Sequence, residues 1–559
     1  MPGLIGFTSL SPRTDYGKSV RLDALDRMRE ALTHRDWLVS DELFCDERVC
    51  ATRVDTHLLQ PDPQPYRSGD LYVWLDGELY TGSNATDPAF LADGFCDNID
   101  LSFLCKLDGY FTAAVYDKSG SKIHLLTDRY GFRQLYWTVA EDQLWWGTEL
   151  KAALHLPGFQ PRVDRDALSQ HLARGYPPGD KSLIQNIELI PEGTILTWDL
   201  LTGESTSQRY WDWDRVGNIT LPNDPREMLE EWGRLFVRAV EKRSMNGRVG
   251  VMLSGGLDSR AILAAMPDSI SPLHAVTFGI RDAADVRIAA RAAAVRGAVH
   301  HVQELTVHNW LAPRFEGVWW QDGHLNLIAM HGMGGFDERR EWFDINLSGF
   351  LGDVTMGGSY SRKTGDHEID LIRNRGRRFI AYGLKSATTY FENRIPFFDN
   401  DLLEYTLSIP ESQRARDHVY ADMLLMRFPD LFKKIPWQET GVPITWPLPV
   451  AYQFKRWQSL FNRALHKVGV GGTGHTQFAD YNEWLRQDPA KSQISNILTS
   501  KDAIYPEYVD RGIVIRMWEE LQRGVPRCLE VGLYATLEIW LQQFFNARYR
   551  SLPTEDTTL

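Results

Sequence analysis

Cysteine is scarce in this chain: five in 559 residues (Cys45, Cys50, Cys96, Cys105 and Cys528), an odd number without the paired short spacings of a metal site. That scarcity excludes a disulfide framework and predicts reduced thiols in a cytoplasmic protein. Long apolar runs are missing too. Nothing approaches the ~20 residues needed to cross a bilayer. The start, Met1 to Phe7, lacks the basic segment and apolar core of a secretory signal. Positive charge is in deficit, 61 Lys and Arg against 74 Asp and Glu, for a net charge of −13. This argues against nucleic acid or an anionic membrane as partner, because either selects a basic face. The hydrophobic share of 43% and the charged share of 24% are those of a globular protein long enough for two or more domains. Trp is abundant, with 19 copies spread along the chain, a distribution suited to cores and a protein-facing surface.

The Gly-Lys-Ser/Thr ending of a P-loop is also absent. In its place Arg248 to Ser259 reads RVGVMLSGGLDS. Val249, Val251 and Leu253 suit a short buried strand, and Leu257 to Ala265 has helical composition and spacing. Ser254-Gly255-Gly256 therefore turns from a strand into a helix N-terminus, where backbone N–H groups and the helix dipole favour an anion. Two glycines let the backbone approach phosphate oxygens, and Ser254 and Ser259 add hydroxyls. Asp258 supplies a carboxylate suited to Mg²⁺ on a polyphosphate. The stretch resembles the pyrophosphate loop of ATP pyrophosphatases, the superfamily containing asparagine synthetases. The resemblance implies ATP and Mg²⁺ as cofactors, held by Ser254, Gly255, Gly256, Leu257, Asp258 and Ser259.

Residues 1–205 read as short alternating strands, among them Asp70 to Leu75, Phe111 to Tyr116 and Lys122 to Leu126, with helices near Ser19–Thr33 and Asp164–Arg174. This predicts an α+β layered domain. Five segments resemble, in order, landmarks of the class II glutamine amidotransferase domain of asparagine synthetases: LDGELY from Leu75, LDGYF from Leu107, TDRYG from Thr127, GTELK from Gly147 and IPEG from Ile190. Active domains of that kind begin with a nucleophilic cysteine, where this chain has Pro2. Thr81 stands where the family's Asn helps hold the tetrahedral intermediate. Without these groups amide hydrolysis loses its chemistry. The domain is read as a degenerate glutaminase retained for structure or docking.

From residue 225 to 559 strands and helices alternate, predicting a doubly wound α/β parallel sheet with a helical C-terminal part and a ligand at the carboxyl ends of the strands. The expected elements are a helix over Pro225–Lys242, a strand over Leu273–Phe278, a helix over Ala283–Arg296, and strands over Val299–Gln303 and Phe343–Leu347. Ser348 to Gly358 resembles the family's second synthetase motif, which implies that Asp353 joins Asp258 on the metal and that Gly352 borders the nucleotide. The same resemblance puts adenine near Gly279. Phe391 to Asp399 resembles a segment whose glutamate faces the acyl-adenylate pocket, making Glu392 a candidate catalytic residue. Phe350 stands where asparagine synthetases have Glu and β-lactam-forming relatives have Tyr. Phe350 and Trp437 are therefore expected to line an apolar substrate pocket. The family's later lysine falls on Glu439, of the wrong sign, with Lys433 and Lys434 as candidate replacements. Gly469 to Gly474 suits a linker or lid hinge. Val531–Tyr549 reads as an aromatic helix that serves the core.

These readings predict an ATP-dependent amide-forming enzyme that activates a carboxylate as an acyl-adenylate, releasing AMP and pyrophosphate, for an amine not supplied by its own glutaminase. The carboxylate could belong to a peptide, a sugar acid or a small metabolite, as in natural-product biosynthesis. Three alternatives stand beside it: an intramolecular cyclase of lasso-peptide or β-lactam type, accompanied in the former case by a precursor peptide and a protease; a glutamine-independent asparagine synthetase; and a nucleotide-binding pseudoenzyme. Oligomeric state is left open, a homodimer among the options.

Overall fold

The computed structural model describes residues 2–9, 17–83, 85–97, 101–357, 367–414, 418–467 and 478–549. The first half is two stacked antiparallel sheets. One, of seven strands, is centred on Gly3–Thr8, which pairs with Val49–Asp55 on one side and Gln143–Gly147 on the other. The other, of six strands, is built round the antiparallel pair Leu71–Leu79 and Gly109–Asp117. Leu4, Ala51 and Trp146 of the first sheet meet Trp74, Ala114 and Leu125 of the second in one apolar cluster. The helix Lys18–Leu32 covers the outer face of the first sheet, burying Leu25, Met28 and Leu32 at helical spacing. This is the α+β layering expected.

The second half holds a five-stranded parallel sheet in the order Val299–Glu304, His274–Gly279, Val249–Met252, Ile345–Leu347, Glu392–Arg394. Chain order reverses between Val249–Met252 and Ile345–Leu347. In an open α/β sheet such a switch point opens a crevice at the carboxyl ends of the strands, because the following connections leave in opposite directions. The helix Pro225–Arg243 starts on Asp224, whose side chain accepts the Arg226 N–H, with Pro225 at the first helical position. Its buried residues Met228, Trp232, Leu235, Phe236 and Ala239 form one stripe. Beyond the sheet the chain is helical, with a last helix Cys528–Phe545 that is buried from Val531 to Phe544 except at Leu533 and Tyr534. Among the described residues no helix is long and apolar enough to cross a membrane. The glycine-rich run Gly469 to Gly474 lies outside the described residues.

One expectation needs correcting. Cys45 and Cys50 are joined in a disulfide, leaving Cys96, Cys105 and Cys528 free. Counting cysteines could not show this. The strands Phe44–Cys45 and Val49–Asp55 form a hairpin whose register sets Cys45 opposite Cys50.

The interface between the halves is buried and charged. Arg133 bridges Asp76 (2.6 Å) and Glu392. Arg394 makes a two-pronged contact with Glu78 at 2.7 and 2.9 Å. Arg243 reaches both Asp108 and Asp399, Lys151 reaches Glu149 and Asp322, and Lys385 donates to the Thr148 carbonyl. Such pairs stand in low dielectric, where losing either partner leaves a costly unpaired charge.

A candidate nucleotide site at the switch point of the sheet

Val249–Met252 ends in the loop Ser254-Gly255-Gly256, and the helix Asp258–Ala265 leaves from it. The loop is shaped by its own hydrogen bonds. Ser254 N–H donates to Ser259 Oγ (3.0 Å), and Gly256 N–H to Ser254 Oγ (3.2 Å). Gly255 N–H donates to Asp285 Oδ1 (2.8 Å), while its carbonyl accepts the Gln438 N–H (3.1 Å). A side chain at Gly255 would meet Gln438 Cβ at 2.8 Å, so only glycine lets the 437–442 segment lie against the loop. Leu257 is buried in the core and contributes backbone alone. Gly279, at the end of the neighbouring strand, has φ +152° and lies against Phe478.

The second loop comes from across the switch point. After Ile345–Leu347 the chain turns through Gly349 and through Leu351, which holds a left-handed φ of +55°. That conformation costs a leucine on the order of 1 kcal/mol, and such strain collects at functional turns. It delivers the short helical turn Gly352–Thr355 beside Asp258. A Cβ on Gly352 would stand 2.7 Å from Asp258 Cγ, and one on Gly349 would stand 3.2 Å from Asp258 Cβ. Asp353 follows directly, half-buried like Asp258. Tyr420, itself buried, donates its hydroxyl to Asp258 Oδ1 at 3.1 Å.

Two half-buried carboxylates on adjoining loops are a hard-oxygen donor set. Among the described residues no group of three or more His, Cys, Asp or Glu forms a ready-made metal site. Magnesium asks for less, since one or two carboxylates and substrate phosphates suffice. Asp258 and Asp353 therefore fit the ion the motif implies.

Other expected site residues are placed elsewhere. Glu392 does not face an open pocket: it is 2% exposed and held by Arg133 from the first half. Burial pushes its carboxyl up to about 7, with Arg133 acting in the opposite sense. Phe350 is buried edge-on against Phe132 of the first half, with ring centroids 4.9 Å apart. Trp437 is half-buried in a turn, its N–H donating to the Val442 carbonyl. Glu392 and Phe350 thus pack on neighbouring residues of the first half, Arg133 and Phe132, while Trp437 belongs to the segment that lies against the phosphate loop. Lys433 and Lys434 are exposed. The cation on the Glu439 segment is Lys455, which donates to the Glu439 carbonyl and lies 3.7 Å from its carboxylate.

Several contributors carried no signal that singled them out. Asp285 looks like any acidic residue in a first helical turn. Tyr420 and Gln438 lie far along the chain. Arg260 stands next to the motif yet spends its buried guanidinium on the carbonyls of Leu431, Ile435 and Pro436, clamping the loop helix to the 431–438 segment. Burial lowers its pKa to about 10. In the first half, Thr81 Oγ1 accepts the Ser83 N–H in an exposed turn. Arg53, fully buried, is consumed by Asp41 (2.6 Å), Asp55 (3.1 Å) and backbone carbonyls.

Comparison with known proteins follows this division. Residues 95–211 match the model of a glutamine amidotransferase domain, and residues 231–388 that of asparagine synthase. The chain is 25% identical over 291 residues to asparagine synthetase [glutamine-hydrolyzing] 2 of Bacillus subtilis, covering 47% of this chain and 38% of that protein. It is 25% identical over 370 residues to the asparagine synthetase [glutamine-hydrolyzing] of Gallus gallus, covering 59% and 62%. A putative asparagine synthetase of Methanocaldococcus jannaschii is 27% identical over 186 residues, covering 32% and 36%. The match therefore spans less than two thirds of the length of these relatives.

Proposed function

We propose that this chain is an ATP-dependent amide ligase of the asparagine synthetase family that cleaves ATP to AMP and pyrophosphate, a reading supported by the two family matches and by the similarity to asparagine synthetases. The observation that carries this reading is the meeting of Asp258 with the Gly352-Asp353 turn at the mouth of the Ser254–Ser259 loop. A substrate carboxylate attacks the α-phosphate, and the bond to the β-phosphate breaks. The N-terminus of the helix Asp258–Ala265 would favour charge on the departing pyrophosphate, and the Ser254 and Ser259 hydroxyls, 3.0 Å apart at that end, would serve as donors to it. Mg²⁺, when held by Asp258 and Asp353, neutralises charge on the phosphate oxygens. An amine then displaces AMP from the acyl-adenylate. Pro2 and Thr81 support an amine that the first half does not generate.

The test is product analysis with ATP and candidate acceptors. AMP and pyrophosphate are expected, and Asp258→Ala and Asp353→Ala should each lower turnover by about 100-fold or more, since a hard ion loses one of few protein ligands. Substrate-dependent release of ADP and phosphate would refute the mechanism.

A further inference from the structure

The helix Leu448–Lys467 behaves unlike the others of this fold. Ala451 is buried, but every residue from Tyr452 to Gln458 is exposed. Val450, Phe454 and Trp457, at i, i+4 and i+7, fall on one side together with Leu460, and Trp457 is 73% exposed. Just before the helix, the exposed Trp446 packs on Phe454, extending the apolar surface. The charge is as unusual as the aromatics. In a chain of net charge −13, this 20-residue helix contains no Asp or Glu and carries Lys455, Arg456, Arg463 and Lys467. At helical spacing, Lys455 and Arg456 lie away from the Val450, Phe454 and Trp457 side.

We propose that this helix docks on an anionic lipid bilayer, lying in the interface with Val450, Phe454, Trp457 and Leu460 in the acyl boundary and Arg456 toward the headgroups, while Lys455 holds the helix to the Glu439 segment. Three features favour that occupant. Every residue from Tyr452 to Gln458 is exposed, so among the described residues this stretch presents a solvated face and not the lining of a groove. Its apolar side carries Trp and Phe opposite a basic side, the composition of interfacial helices. Its local charge is opposite to that of the whole chain, so attraction to anionic headgroups is confined to this element within a Debye length. The inference does not depend on the ligase reading. The helix does adjoin the nucleotide site through Lys455 and Glu439, so docking would bring the 437–442 segment to the membrane.

The experiment is co-sedimentation of the full chain with vesicles of phosphatidylcholine, with and without phosphatidylglycerol. Sedimentation is expected only with the anionic lipid. It should fall by about tenfold in Trp457→Glu and by a similar factor in Arg456→Glu, and weaken in high salt. Both variants change exposed residues, and unchanged thermal unfolding would show that they fold. A wild-type protein that stays in solution with anionic vesicles would overturn the proposal. So would a Trp457→Glu variant that binds them as well as wild type. Conversion of a dimer to a monomer by Trp457→Glu, without a change in lipid binding, would assign the face to a second copy instead.

Discussion

Gly352 and Gly256 lie at the same site and should tolerate a methyl group very differently. At Gly352 the new Cβ would stand 2.7 Å from Asp258 Cγ and 2.8 Å from the Phe397 ring, with no slack on either side. At Gly256 it would meet only Ser254 Oγ, at 3.2 Å. Gly352→Ala is therefore expected to push Asp258 out of place and lower AMP formation by about tenfold or more, with overpacking costing about 1–3 kcal/mol. Gly256→Ala should keep its unfolding temperature near that of wild type, whereas Gly352→Ala should lower it; equal losses of stability in the two variants would count against the placement of Asp258. Glu392 makes a pH prediction. Burial raises both Glu392 and Asp76, and the two share one guanidinium, Arg133. The folded protein thus holds a proton on Glu392 that the unfolded chain releases near the ordinary glutamate range. That contribution is complete below about 4.5 and is lost as pH rises through about 7. Glu392→Gln, which stays neutral, should raise the unfolding temperature relative to wild type at pH 8 and change it little at pH 5. A difference that shrinks as pH rises would reverse the assigned sign.

At the scale of elements, the alternation read from the sequence matches the structure closely where periodicity was strong. The helix expected over Pro225–Lys242 runs Pro225–Arg243, and that over Ala283–Arg296 runs Ala284–Arg296. The strand expected over Phe343–Leu347 is shorter, Ile345–Leu347, because pairing with Val249–Met252 begins only at Ile345. What periodicity could not supply is how the phosphate loop is braced from elsewhere. Arg260 fastens its helix to three carbonyls of the 431–436 stretch, whose continuation Gln438 holds the Gly255 carbonyl. Arg260→Ala strands those carbonyls, at a cost of about 2–4 kcal/mol, and should raise the KM for ATP more than it lowers kcat. Arg260→Lys should not restore the wild-type value, because an ammonium cannot reproduce the fork that spans the carbonyls. Full rescue by lysine would reduce the clamp to a simple charge effect.

At the scale of the whole molecule, the five amidotransferase-like segments are largely contact surfaces. Asp76 and Glu78 of the first pair with Arg133, which is shared with Glu392, and with Arg394; Asp108 of the second pairs with Lys242 and Arg243. Arg129 of the third meets Glu404, Thr148 and Lys151 of the fourth meet Lys385 and Asp322, and Glu192 of the last meets Arg373 and Arg377. These pairs fasten the first half to the second. Residues 225–559 expressed alone should consequently be insoluble or loosely packed, with Glu392, Arg394 and Lys385 stripped of their first-half partners. A cooperative, well-folded half-chain would contradict this. The intact protein is expected to release no glutamate from glutamine, with or without ATP. Release that tracks with the protein and is lost with residues 1–205 would restore a working glutaminase.

The sequence by itself determined the local structure: the Ser254–Ser259 turn between strand and helix, the Asp353 turn and the alternation that builds a parallel sheet. These follow from short-range rules, since backbone donors, glycine freedom and apolar periodicity act within a few residues. Only the tertiary structure decided which side chains meet. It turned Glu392 toward Arg133, packed Phe350 on Phe132, joined Cys45 to Cys50 and set Asp285 and Tyr420 on the loop. The physical reason is that a buried charge or ring takes its partner from whatever the packing brings near, and sheet register and domain docking, not sequence spacing, fix that neighbour.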